Sequence, residues 1–322
     1  MKRTLRSLAI ACLAAATFAA TSARAEYPER PITLIVPFSA GGNSDVIARI
    51  VADHMSTELG KPVVVENRGG GGGSVGTAMA AGAKPDGYTL LFATAGTHSV
   101  NPNLRDVGYD AVKDFAPISL VVDSSVLIAV NPDVKAATLA EMMALTSKGE
   151  TQLNFASGGV GTVAHVAGEL YNEMTGSKMI HVPYQGAGDA LNDVVAGRVQ
   201  VYLNNFPTFL PHIASGALRP IALAAAERSS LMPDVPTTTE AGLPDLQMGS
   251  WFGVVAPKGT PPEAIAKLHA AVVSMKGSEG AKSKMLAIGS EVAVSDTPEA
   301  FGALIVEQFD WWGKILDNPA FK

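Results

Sequence analysis

The 322-residue chain holds a single cysteine, Cys12. That excludes a disulfide scaffold and a cysteine-based structural zinc site. Charge is scarce as well: Asp, Glu, Lys and Arg make up 17% of the residues, against about 25% in ordinary globular chains. Aromatic residues are few, at 6%. A disordered chain needs low hydrophobicity and high charge, and a hydrophobic content of 47% excludes one. No basic excess is present; the formal net charge is −6. A nucleic-acid binder, which usually carries a basic face, is therefore not expected. There is no P-loop, no repeat of solenoid length and no low-complexity segment beyond Gly69–Gly73. Glycine, by contrast, is abundant, with 32 residues, and the length suits about two domains of ~150 residues each.

The first 25 residues read as a leader. Met1 to Arg6 is basic, Leu8 to Ala20 is apolar, and Ala23-Arg24-Ala25 offers small residues where a signal peptidase reads. A membrane anchor would require about 20 apolar residues, and this run is shorter. The sequence thus predicts a cleaved signal peptide, residues 1–25, and a periplasmic protein cut near Ala25. No later stretch approaches 18 uninterrupted apolar residues, so a soluble body is expected. Cleavage removes Cys12 and four of the 24 basic residues but none of the 30 acidic ones, leaving a net charge of −10.

The rest alternates between strands and helices. Strands are predicted at Ile32–Val36, Val63–Val65 and Tyr88–Ala93, with helices at Val46–Met55 and Val75–Ala83 between them. This β-α-β-α-β order implies a parallel sheet covered by helices. Two strands then follow closely, Ile118–Val122 and Val126–Val130. The α/β rhythm resumes with helices at Thr138–Ser147, Val163–Met174, Ala190–Val195 and Thr208–Ala214. Strands fall at Leu153–Phe155, Met179–Val182, Val199–Leu203 and Arg219–Ala225. A loop-rich stretch, Arg228–Gly249, leads to a strand at Phe252–Val255 and helices at Pro262–Ser274 and Pro298–Leu316. A chain that leaves one α/β unit, builds a second and returns gives two lobes with a cleft between them. The expected division is 26–122 plus 226–322 for lobe 1 and 123–225 for lobe 2. Pro117–Val130 and Arg219–Ala225 are the candidate crossings.

Ligands of open α/β sheets bind outside the carboxyl ends of the strands. Four loops in such positions are rich in small residues: Phe38-Ser39-Ala40-Gly41-Gly42-Asn43, Thr94-Ala95-Gly96-Thr97-His98, Ala156-Ser157-Gly158-Gly159-Val160-Gly161-Thr162 and Tyr184-Gln185-Gly186-Ala187-Gly188. Glycine admits a ligand close to backbone N–H groups. A helix starting just beyond adds unpaired N–H groups and the positive end of its dipole. Such loops bind carboxylate or phosphate without a cationic side chain, although ordinary tight turns use glycine too.

Enzyme readings are weaker. Gly159-Val160-Gly161-Thr162-Val163-Ala164 fits a dinucleotide glycine pattern but lacks the acidic residue about 20 positions on. Gly72-Gly73-Ser74-Val75-Gly76 fits the nucleophile elbow of an α/β-hydrolase-like esterase using Ser74, yet the glycine run separates Ser74 from its strand. Among His54, His98, His165, His181, His212 and His269 no pair has a familiar metal spacing. His98 and His165 lie beside glycine loops, where a packed or solvated imidazole is the plainer reading.

Longer stretches carry a resemblance. They include Tyr27-Pro28 to Pro31-Ile32, Val36-Pro37-Phe38-Ser39-Ala40-Gly41-Gly42 with Asp45 and Ala48-Arg49, Val65-Glu66-Asn67-Arg68, and Lys84-Pro85-Asp86-Gly87-Tyr88. His181-Val182-Pro183-Tyr184-Gln185-Gly186, Pro211-His212-Ile213, Pro233-Asp234-Val235-Pro236-Thr237, Glu240-Ala241-Gly242-Leu243-Pro244 and Pro257-Lys258-Gly259-Thr260-Pro261 follow in order. Together they resemble the periplasmic substrate-binding proteins of tripartite tricarboxylate transporters, the Bug receptors. The resemblance implies a two-lobed, type II-like periplasmic binding fold, each lobe a mostly parallel sheet flanked by helices. It implies a monomeric receptor without catalysis, cofactor or metal. Its partners would be a small organic carboxylate and integral-membrane transporter subunits.

On matching positions the ligand contacts would be Phe38, Ser39, Ala40, Gly41, Gly42 and Asn43 from one lobe. Ser157, Gly158, Gly159, Gly161, Thr162, His165, Tyr184, Gln185 and Gly186 would come from the other. The loop reading adds Thr94 and Ala95. Ser39 stands where alanine is common and brings an extra hydroxyl. Asn204 stands where many relatives carry an acidic residue; it offers no counter-charge to an ammonium group, which favours a di- or tricarboxylate over an amino acid.

Overall fold

A computed structural model describes residues 27–147, 152–206, 209–229 and 231–317. The expected leader lies outside these residues. β1 (Ile32–Val36) is buried except at Thr33, as a strand covered by helices on both faces should be. α1 (Asn43–Leu59) buries Ile47, Val51 and Met55 at helical spacing. β2 (Val63–Asn67), a tight turn at Gly71–Gly73, α2 (Ser74–Ala81) and β3 (Thr89–Thr94) complete the first crossover series. β1 pairs in parallel with both β2 and β3. After β3 the backbone winds at once into a π-helical turn, Gly96–Val100, and α3 (Asn101–Leu104).

Where the sequence predicts two short strands, the backbone makes one, β4 (Phe115–Val130). Its polar middle, Asp123-Ser124-Ser125, looks like a break in the sequence. It nonetheless pairs with Trp251, Ser250 and Gly249 of β9 (Gly249–Pro257). The β4–β9 register shifts between Pro117 and Ser119 and again between Leu120 and Val122; bulges of this kind bend and twist a strand. Further along, alternate residues of β4 serve opposite faces. Val126, Ile128 and Val130 join one apolar core, and Leu127 and Ala129 join another.

The second series comprises α4 (Leu139–Ser147), β5 (Asn154–Ser157), α5 (Val163–Thr175), β6 (Ile180–Pro183), α6 (Ala187–Val195) and β7 (Val201–Asn205). β5 lies parallel to β6 and β7. The far half of β4 pairs antiparallel with β7 and, after α7 (Leu210–Ala214), with β8 (Arg219–Leu223). The candidate crossing at Arg219–Ala225 is thus corrected: β8 stays with the second series because its partners are Leu127–Val130. The chain returns through residues 224–248 and β9. Ala224 N–H donates to Val126 O and Met248 N–H to Ala224 O, which holds the returning chain beside β4.

α8 (Pro262–Val273), α9 (Glu279–Ala287) and α10 (Pro298–Leu316) close the fold. The sequence does not predict α9, which buries only Ala281 and Met285, too few for a periodic signal. The strand order is β2-β1-β3-β9-β4-β7-β5-β6, with β8 on β4. Each series keeps its crossover-connected strands parallel, and the antiparallel ladders fall on β4 and β9. Among the described residues, no helix is long and apolar enough to cross a membrane.

Candidate functional site

A cavity opens where the carboxyl ends of the strands from both series face each other. The first series contributes Phe38 and Gly42–Ser44 after β1, Thr94 and Gly96 after β3, and Ser250 and Phe252 of β9. From the second come Gly158, Thr162–Ala164, Ala187, and Asn204 and Asn205 at the end of β7. Its free volume is about 50 Å³, room for only a few water-sized groups. Among the described residues, no Lys, Arg, His, Asp or Glu lines it.

Three helices begin at this cavity: α1, α5 and α6. α1 starts after Gly42 and α6 after Gly186, and neither has a side-chain cap. The α5 cap, Thr162, takes only the His165 N–H, at 3.3 Å. First-turn N–H groups have no partner within their own helix, and each helix start carries roughly half a positive charge. The arrangement is an electropositive pocket made of backbone.

The halves also touch. Asn43 Nδ2 donates to Asn205 O at 2.7 Å, a buried bond from α1 to β7. Arg105 donates to Gly71 O at 2.7 Å and reaches Val160 O at 3.2 Å. Several loop glycines serve this contact. A Cβ on Gly188 would stand 2.7 Å from Ala40 O, and one on Gly42 would stand 3.0 Å from Ala187 Cβ. At Gly72 it would overlap Val160 O.

Of the residues singled out in the sequence, Phe38, Gly42, Asn43, Thr94, Gly158, Thr162 and Asn204 form the cavity wall. The remainder sit elsewhere. Gly41 turns its N–H to Asp45 Oδ2 at 2.9 Å, so that amide is committed to a side chain and is not a ligand donor here. Burial pushes Asp45 up, but hydrogen bonds from Arg49, Gly41 and Asn67 outweigh burial and hold the carboxyl below its ordinary range. Ser39 Oγ is buried without a partner against Gly186, off the wall. Ala40 likewise meets the other half, at Gly188. Ala95 is buried where the π-helical turn begins. The Gln185 carbonyl lies against Gly69. Tyr184 donates to Asp193 at 2.7 Å, and burial followed by that carboxylate pushes its phenol up to about 12.

Ser157, Gly159, Gly161 and His165 form a support beneath the wall. Ser157 Oγ bonds Gly159 N and O and meets His181 Nε2 at 2.6 Å. Gly161 N–H points at His165 Nδ1 from 3.4 Å. The two imidazoles lie 4.4 Å apart, and Glu169 joins them. Burial, then Arg105, holds His165 down to about 4; burial, then His165, does the same for His181. His98 is a packed imidazole, fully buried against Phe115 and Trp251, and burial pushes it down to about 3. Ser74 donates to Gly71 O at 2.8 Å, and a three-residue turn separates it from the β2 side of the loop. No imidazole among the described residues hydrogen-bonds to it, so the elbow reading gains no support from the geometry.

The family model described as "Tripartite tricarboxylate transporter family receptor" matches residues 47–320. The chain belongs to that family. It is 35% identical to protein BugT of Bordetella pertussis over 312 residues, 96% of this chain and 95% of BugT. Among solved structures it resembles the periplasmic binding protein BugD, with a TM-score of 0.87 and 34% identity over 90% of this chain and 98% of BugD. MatC from Rhodopseudomonas palustris with bound malate gives a TM-score of 0.86 and 33% identity over 90% of this chain and all of that one. The receptor therefore has the two-lobed architecture of periplasmic binding proteins.

Sequence reading missed Ser44, Val163, Ala164, Asn205, Ser250 and Phe252 on the receptor's cavity wall, and it named Gly96 and Ala187 only as members of the glycine loops. Ser44, Val163, Ala164 and Ala187 sit in the first turns of α1, α5 and α6, so helix-start positions were the available signal. Ser250 and Phe252 come from β9, whose place beside the cavity depends on its long-range pairing with β4.

Proposed function

We propose that this receptor closes its lobes on a small organic carboxylate, a di- or tricarboxylate, and delivers it to the membrane subunits of a tripartite tricarboxylate-type transporter. Three helix N-termini converging on a cavity without a cationic side chain carry this reading. Such a site suits carboxylate and avoids the desolvation cost of a buried cation. The malate-bound MatC supports the ligand class. The wall residues after β1 and β5 and at the end of β7 supply the contacts, with Phe38, Gly42 and Asn43 on one side and Gly158, Thr162 and Asn204 on the other. Residues 26–122 with 226–322 form one lobe and 123–225 the other. The protein acts in the periplasm after loss of a leader ending near Ala25.

Asn204 sharpens the ligand class. Tyr202 hydroxyl donates to Ala187 O at 3.0 Å and accepts from Asn204 Nδ2 at 2.9 Å. That fixes the amide, and no carboxylate on the wall balances an ammonium group. A thermal-shift screen followed by calorimetry tests the reading. Di- and tricarboxylates should raise Tm by ligand linkage. Tight binding of aspartate or glutamate with no binding of dicarboxylates would overturn it.

A further inference from the structure

Behind the Gly158–Gly161 loop, the fold assembles a donor set that the carboxylate site does not use. His165 and Glu169 sit one helical turn apart on α5, on the same face. His181 reaches them from β6, where it pairs with Phe155 and stacks on its ring at 4.9 Å. One donor atom from each of the three residues lies within 4.8 Å of the other two, and all three residues are half-buried. Two imidazoles and a carboxylate are the donors of open catalytic zinc sites, which leave a fourth position for water.

We propose that His165, Glu169 and His181 bind a zinc-class dication.

Zinc–ligand bonds of about 2.0–2.1 Å place tetrahedral donors about 3.3 Å apart. The remaining approach of about 1.5 Å at most is within the reach of side-chain rotation. The surroundings orient the donors. Ser157 Oγ meets His181 Nε2 at 2.6 Å; in the tautomer whose Nε2–H donates to that hydroxyl, the Nδ1 lone pair is left for a metal. At His165, the Gly161 amide stands 3.4 Å from Nδ1, at the edge of hydrogen bonding. Little is lost if the ring turns its lone pair to a metal instead. Glu169 meets Asn172 Nδ2 at a long 3.5 Å, which leaves its oxygens open to a stronger partner. Burial keeps both imidazoles neutral, the form that ligates. Burial also pushes Glu169 up, which works against the ion. Arg105 is the cation whose charge acts on His165. It opposes the ion and places the affinity below that of a dedicated structural site. Because His181 and His165 hold Ser157 and Gly161, an ion here would brace the loop that carries Gly158.

The test is a Zn²⁺ titration of the chelator-treated, carboxylate-free protein against a chromophoric competitor, repeated with Co²⁺ for its visible spectrum. One ion per chain is expected, with a low-symmetry Co²⁺ band. Glu169→Gln preserves the shape of the side chain and should weaken binding at least tenfold. His181→Ala should do the same, with circular dichroism checking the fold. Binding unchanged in Glu169→Gln, or no one-to-one binding at millimolar Zn²⁺, would overturn the proposal. Carboxylate calorimetry on the same samples reads the cleft separately, so failure of either proposal is distinguishable from failure of the other.

Discussion

A methyl group at Gly188 would press on Ala40 O, 2.7 Å away in the other half of the fold. Gly188→Ala should therefore hold the lobes apart and weaken carboxylate binding at least tenfold, about 1.4 kcal/mol. Calorimetry with a dicarboxylate checks this expectation. Gly41 makes the contrast. Its φ is +83° and nothing lies within 4 Å of a Cβ built there. Gly41→Ala should thus cost about 1–2 kcal/mol of stability through backbone strain, with a smaller effect on affinity than Gly188→Ala. A denaturant titration measures the first quantity. Asn204→Asp would place a carboxylate on the cavity wall. It should weaken dicarboxylate binding and favour amino acids; an unchanged dicarboxylate affinity would count against the contact.

Among the elements, β3 and β9 are tied by Phe92 and Phe252, whose rings stack 6.1 Å apart. Phe92 is fully buried, and Phe92→Ala should cost about 3–5 kcal/mol. That loss would appear as a lower urea midpoint at unchanged slope. The crossover strands were legible in the sequence for the same reason that they are stable. A strand covered on both faces is apolar along nearly all its length, as Ile32–Val36 is apart from Thr33. β4 was not legible as one element, because Asp123-Ser124-Ser125 satisfies its backbone through partners more than a hundred residues away. The loops were legible as glycine-rich anion sites, but the contact between the halves that some of their glycines permit was not. The sequence shows that Gly188 lacks a side chain; only the fold shows Ala40 against it. The His165–Glu169–His181 group was hidden because His181 arrives from β6, so no sequence spacing marks it.

For the whole molecule, three buried imidazoles contribute to the response to acid. His98 is held down to about 3, and His165 and His181 to about 4, each first by burial. Between those values and the ordinary 6.5, the unfolded chain binds protons that the folded chain refuses, so stability rises with pH. Their contribution is complete above about pH 6.5 and is lost as pH falls toward 4. Asp123 and Glu169, pushed up by burial, act in the opposite sense: their stabilisation is present in acid and is lost as pH rises. The fully buried His98 should dominate. The denaturant midpoint should be lower at pH 5 than at pH 7.5, and His98→Gln should flatten that difference. An equal difference in the variant would remove His98 from the account.

The single strand β4 also sets a timetable. Phe115 waits for Pro257, and Ser125 for Gly249, so the first lobe's sheet stays unfinished until most of the chain exists. Pairings between such distant residues form slowly. A chain emerging from its N-terminus therefore remains incompletely folded until β9 arrives. For a receptor proposed to work in the periplasm, that delay leaves the sheet open while the chain is exported.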